Sequence, residues 1–130
     1  MSLWAMKYIG QPWTKDCDCG GWFHKIQAEQ FGRDVSGILA DYVRSPLTAA
    51  KLLSGDISGR YGWVPTESPI EGDAAFMSRK SRPHHIGTVL VSGNEIYILH
   101  ALEGVGVVHS SALELSANLW KIVSFYTPCR

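Results

Sequence analysis

The stretch whose reading decides the fold is His85-Ile86-Gly87-Thr88-Val89-Leu90-Val91, then Ser92-Gly93-Asn94, then Glu95-Ile96-Tyr97-Ile98-Leu99-His100. Two runs rich in β-branched and apolar residues flank Gly93-Asn94, a pair that favours the positive φ of a tight two-residue turn. A two-residue loop sets Ser92 opposite Glu95, Val91 opposite Ile96, Val89 opposite Ile98 and Gly87 opposite His100. Side chains alternate between the faces of a strand, so His85 shares a face with Gly87 and is the diagonal neighbour of His100. Diagonal positions lie about 7–8 Å apart at the backbone, within reach of two imidazoles. The pairing depends on register, because a slip of one residue would move His100 to the other face. Taken singly, a histidine at a strand end is more often a satisfied polar residue at a sheet rim.

Outward toward the N-terminus, Cys19, Trp22, Phe23 and Ile26 recur at the spacing of one helix face. Asp18 stands just before them as an N-cap, and Gly32, after Phe31, is a C-terminal stop. A thiol in the first turn of a helix feels the positive end of the dipole, which favours the reactive thiolate. Gly20 and Gly21 each weaken the helix by up to about 1 kcal/mol relative to alanine, which suggests a close backbone approach at this end. The plainer reading of Cys19 is a small buried hydrophobe. Cysteine at a helix start, histidine on a strand and a second polar residue on the neighbouring strand are, together, the three roles of a cysteine–histidine site. In that reading Cys19 is the nucleophile, His85 the base and His100 the residue that orients the base.

The rest of the chain sorts around these pieces. Tyr8 to Cys17 reads as irregular, Ser36 to Tyr42 and Pro46 to Leu53 as short helices, and Ser54 to Gly72 as a long irregular connection. Further strands are expected over Asp73–Met77, Gly106–His109 and Trp120–Tyr126, with a short helix over Ala112–Asn118. Helices first and strands afterwards predict an α+β fold with a mostly antiparallel sheet. At 130 residues the chain is long enough for one core, so a single domain over 1–130 is expected. A 45% hydrophobic content with zero formal charge argues against disorder and against nucleic-acid binding by phosphate neutralisation. No run approaches the roughly 20 apolar residues of a membrane span, and Met1–Gly10 does not read as a secretory signal. Three cysteines do not complete a disulfide framework and are read as free thiols, with Cys17 in the loop and Cys129 incidental near the end. No cofactor is called for.

These motifs resemble the NlpC-type cell-wall peptidase family of papain-like enzymes, in particular its phage tail-assembly branch. Tyr8-Ile9-Gly10-Gln11-Pro12-Trp13 resembles the family's opening segment, and Asp18-Cys19-Gly20-Gly21-Trp22-Phe23 its nucleophile helix. Glu71-Gly72-Asp73-Ala74-Ala75-Phe76 resembles the glycine–aspartate strand start. His85-Ile86-Gly87-Thr88-Val89-Leu90 resembles the base strand, and Leu99-His100-Ala101-Leu102-Glu103-Gly104 the orienting strand. Ile122 to Pro128 is similar to the tail-branch ending. The motifs keep the family's linear order from Tyr8 to Pro128. The resemblance implies a papain-like core with its nucleophile helix packed on the sheet, and amide hydrolysis in peptidoglycan stem peptides, after D-glutamate. It implies synthesis in a bacterial cytoplasm without a signal peptide, with incorporation into a phage tail and tail proteins as partners. Asp18 takes the role of contacting a substrate amine, with Trp13 and Gly20 beside it in the binding wall.

Three departures bear on specificity. Gly20 replaces a serine that follows the family's cysteine, Trp13 replaces a tyrosine, and the segment between Trp13 and Cys19 is short. A tail component that keeps the fold without activity is therefore a standing alternative. A zinc site drawn from Cys17, Cys19, His24, His84, His85, His100 and His109 is another, although Cys17-x-Cys19 is tighter than ordinary ligand spacing and no second pair completes it.

Overall fold

The computed structural model describes residues 3–35, 62–80 and 82–129. A one-turn helix α1 (Leu3–Met6) leads to α2 (Cys19–Phe31); a third helix, α3 (Ala112–Ala117), comes late in the chain. The strands are β1 (Trp63–Thr66), β2 (Ala74–Arg79), β3 (Arg82–Ser92), β4 (Glu95–Leu102), β5 (Gly106–Ser111) and β6 (Lys121–Pro128). Among the described residues they form one six-stranded sheet in the order β1-β6-β2-β3-β4-β5, with every neighbouring pair antiparallel. The chain is thus an α+β protein, as its sequence pattern implies. The two short helices expected over Ser36–Tyr42 and Pro46–Leu53 lie outside the described residues.

Helix α2 starts and stops where its sequence says. Asp18 sits in extended backbone and its Oδ1 accepts from the Gly21 N–H at 2.9 Å, satisfying one of the free donors of the first turn. Gly32 takes the left-handed conformation at φ 64°, and its N–H returns to the Ala28 carbonyl. The inner stripe, Trp22, Phe23, Ile26 and Gln27, is buried against β3 and β4. Gln27 is fully buried and would be costly there without partners. Its Nε2 donates to the Gly72 carbonyl at 2.9 Å, and its Oε1 accepts from Arg33 at 3.0 Å. Gly72 itself has φ +91°, and a Cβ there would lie 2.6 Å from the Phe31 ring, so this turn requires glycine for both reasons.

The sheet has two different faces. Toward α2 it presents Ala74, Phe76, Ile86 and Tyr126, which pack with Phe23 and Trp63, and Leu90, Leu99 and Ala101, which pack with Trp22 and Ile26. On the reverse side, Ala75, Met77, Val89 and Ile98 pack with Leu115 of α3 and with Trp120.

Two segments differ from expectation. The connection read as irregular from Ser54 to Gly72 contains β1, whose residue Trp63 pairs with Pro128 and whose Thr66 pairs with Phe125. Four residues including a proline give almost no strand signal, and Pro65 is tolerated because β1 is at the sheet edge. At the other edge the opening segment runs alongside β5: Gly10 donates to the Val107 carbonyl at 2.9 Å and Val107 to the Gln11 carbonyl at 2.8 Å. This covers an edge that would otherwise expose unpaired backbone.

Candidate functional site

The β3–β4 register places the two histidines. Ser92 pairs with Glu95, Val91 with Ile96, Val89 with Ile98 and Thr88 with Leu99, as the Gly93-Asn94 turn dictates. His85 pairs with Met77 of β2, which puts its ring on the face away from α2. His100 reaches that face from β4, and His85 Nε2 lies 2.8 Å from His100 Nδ1. Gly87 is what makes room: a Cβ there would sit 2.5 Å from Ile98 Cγ2, 2.9 Å from the Leu99 carbonyl oxygen and 3.0 Å from His100 Cβ.

Beyond His100 the chain of contacts continues. His100 Nε2 lies 2.9 Å from Ser110 Oγ of β5. The Trp120 indole stacks on His85 with ring centroids 4.3 Å apart and an interplanar angle of 21°. The two histidines are 1% and 3% exposed, so the pair works in a medium far drier than water. Burial, and then the nearby Arg79 guanidinium, push His100 down to about 4, so its ring is neutral at physiological pH. A neutral imidazole carries a single N–H. With that hydrogen on Nε2 toward Ser110, Nδ1 accepts from His85 Nε2–H. In that arrangement a neutral His85 ring carries its hydrogen on Nε2 and leaves Nδ1 as its acceptor nitrogen.

Cys19 is the first residue of α2, half-buried, and packs against the cluster of Phe23, Phe76 and Ile86. Ile86 follows His85 in the chain but faces α2, so the thiol and the imidazole pair approach β3 from different sides. The structure therefore joins two of the three expected residues by a hydrogen bond and leaves the third, Cys19, at a capped helix terminus on the other face of the sheet, so no clear Cys19–His85–His100 triad is assembled. No protein-family model and no curated protein matches the chain.

The expected binding residues fare unevenly. Asp18 has one carboxylate oxygen engaged in capping α2, so contact with a substrate amine would have to use what remains. Trp13 packs among the apolar residues beneath the opening segment, with Trp22, Leu99 and Ala101 in the same cluster. Gly20 is buried in the first turn of α2. At Gly21 the close-approach explanation fails: an added Cβ would meet the Cys17 sulfur at 3.4 Å, an ordinary contact. Burial pushes the Cys17 thiol up, with Lys25 opposing the effect and Asp18 adding to it, which lowers the share of reactive thiolate at Cys17. Cys129 is exposed near the end of the chain. Among the described residues no three His, Cys, Asp or Glu side chains gather into a metal-binding group, which leaves the zinc alternative without a ligand set there. Among them, too, no helix is long and apolar enough to cross a membrane.

Three residues escaped sequence reasoning: Ser110, Trp120 and Arg79. Ser110 lies two residues past Val108, the partner of His100, so extending the strand beyond His109 would have placed it on the histidine face. Trp120 lies just before β6, where nothing in its spacing announces a ring stacked on a strand from the middle of the sheet.

Proposed function

We propose that the chain is a papain-like cysteine hydrolase that cleaves an amide bond in peptidoglycan stem peptides, after D-glutamate, as a tail-associated cell-wall enzyme. The observation that carries the reading is the buried hydrogen bond between His85 of β3 and His100 of β4, which pairs a candidate base with a candidate orienting residue. The proposed reaction requires the start of α2 to bring Cys19 round to the imidazole side of β3; the thiol then gives its proton to His85 and the thiolate attacks the scissile carbonyl. His85 returns the proton to the leaving amine, and the thioester is then hydrolysed by water that His85 activates. His100 is a positioning residue that holds the tautomer of His85, and tail proteins are the expected partners.

The test is incubation with muropeptides and mass analysis of the products. The intact chain should release the fragments of an amide cut in the stem, and Cys19→Ala and His85→Ala should each abolish the cut, because the two act as one unit. His100→Ala should reduce turnover less. An intact substrate after prolonged incubation with folded protein removes the reading.

A second reading is favoured by the stacking of His85 on Trp120, on the face away from α2. Here the chain is a structural tail module that keeps the fold and has lost the reaction. Alkylation of Cys19 near pH 6 separates the two: rapid modification that slows in His85→Ala supports the enzyme, and an ordinary thiol profile unaffected by His85→Ala supports the module.

A further inference from the structure

Trp120 reaches the imidazole pair from outside the two strands that carry it. Its indole is 5% exposed, stacks on His85 with ring centroids 4.3 Å apart, and stands edge-on to His100 at 6.4 Å. The turn that delivers it is strained. Leu119 has φ 66°, the single positive φ among the described non-glycine residues, and its side chain is 79% exposed. A bulky residue in the left-handed region costs about 1–2 kcal/mol, and glycine is the usual occupant at the end of a helix. Two hydrogen bonds hold the turn in place, Leu119 N–H to the Ser116 carbonyl at 3.0 Å and Trp120 N–H to the Leu115 carbonyl at 2.9 Å. They fix the point from which the indole leaves the backbone.

Arg79, at the end of β2, completes the arrangement. Its Cζ lies 4.2 Å from the centre of the indole, at cation–π distance, and its Nη1 donates to the Asn118 carbonyl at 3.4 Å beside the same turn. We propose that Trp120 and Arg79 form a lid on the imidazole pair, a positioning element in which the indole fixes the plane of His85 and the guanidinium opposes any positive charge that forms on the two rings.

A guanidinium stays charged at every working pH, and burial of the pair leaves little water to screen it. Burial first, and Arg79 second, hold His100 down at about 4. Other ionisable groups stand nearby. His109 of β5, Glu103 of the β4–β5 turn and Glu114 of α3 line a cavity of about 540 Å³ together with Arg79, Ser110 and Trp120, and Lys121 follows Trp120 in the chain. Glu103, Glu114 and Lys121 are exposed, where water and salt screen them, whereas Arg79 is held against the buried indole. In the hydrolase reading the lid makes a His85 imidazolium short-lived and favours passing its proton to the leaving amine. The proposal deepens that reading, because the lid acts on the proposed base. Its test follows the rings and not turnover, so the two fail separately.

The test is nitrogen NMR of the full chain, isotope-labelled at histidine and titrated with acid. With the lid intact, His85 should give two well-separated ring-nitrogen signals, one for the nitrogen that bears hydrogen and one for the bare nitrogen. Arg79→Gln should raise the pH at which His100 titrates by about half a unit or more, and Arg79→Lys, which keeps the charge, should return most of that shift. Trp120→Leu should draw the two His85 signals together as the tautomers mix. Trp120→Phe keeps a ring and more of the packing, so it should draw them together by a smaller amount, and it reads the same signals if Trp120→Leu does not fold. A His100 titration unmoved in Arg79→Gln overturns the proposal, as does a shift that Arg79→Lys fails to return. Unmoved His85 nitrogen signals in folded Trp120 variants overturn it equally.

Discussion

The two faces of the sheet are built from the same alternating strands and have opposite contents. The face under α2 is closed by Phe23, Phe76, Ile86 and Tyr126, and its main buried polar side chain, Gln27, has its partners in the turn at Gly72 and in Arg33. The reverse face carries two hydrogen-bonded histidines, one of them stacked on Trp120, a stretch of cavity, and nitrogen atoms of Arg79, His109 and Trp120 that have no hydrogen-bond partner among the described residues. One side spends its burial on cohesion. The other holds titratable groups dry and at fixed distances, which lowers stability locally but prepares those groups for proton transfer or recognition. The α2 face should therefore respond to loss of volume, and the reverse face to pH.

The largest effect is expected from Phe76→Ala. The side chain is fully buried and meets Tyr126 edge-on with centroids 5.3 Å apart, so removal should cost about 3–5 kcal/mol in urea unfolding. A loss under about 1 kcal/mol would mean that this face is not the cohesive one.

Next comes pH. His100 titrates at about 4 when folded and near 6.5 when unfolded, so the unfolded chain binds more protons between those values. Stability should be complete above pH 6.5 and fall as pH drops toward 4, by about 3 kcal/mol for this group. His100→Asn should flatten the slope in that window, and an unchanged slope would show that the reverse face does not carry the titration.

A smaller loss, about 1–3 kcal/mol, is expected of Gly87→Ala, because the new methyl collides with the Leu99 carbonyl and with His100. The diagnostic is positional: His85 and His100 ring signals should move while those of Phe76 and Phe23 stay. The smallest effect belongs to Asp18→Ala, about 1 kcal/mol from loss of the cap on α2, with no change in the pH slope between 4 and 6.5.

Much of this contrast was legible in the sequence. Gly93-Asn94 set the β3–β4 register, and from the register came the side-by-side histidines. Asp18 and Gly32 bounded α2 because caps are local chemistry. What was hidden is what depends on non-neighbouring strands. β6 inserts between β1 and β2, so nothing near Trp120 in the chain predicts that its ring lies on His85. β1 was missed because four residues with a proline fall below any periodic signal. The side of β3 from which Cys19 approaches is likewise set by the packing of α2, while helix periodicity alone names only which residues share a stripe.

The contact between His100 and Ser110 has a consequence of direction. Three groups in a row, each holding one mobile hydrogen, can all point one way or all point the other, and a hydroxyl turns with little resistance. If Ser110 donates inward instead of accepting, His100 carries its hydrogen on Nδ1 and donates it to His85 Nε2, and the hydrogen of His85 then sits on Nδ1. A serine on β5 thus acts as the compass needle of an imidazole two strands away, and whatever turns that hydroxyl reverses the polarity of the whole row.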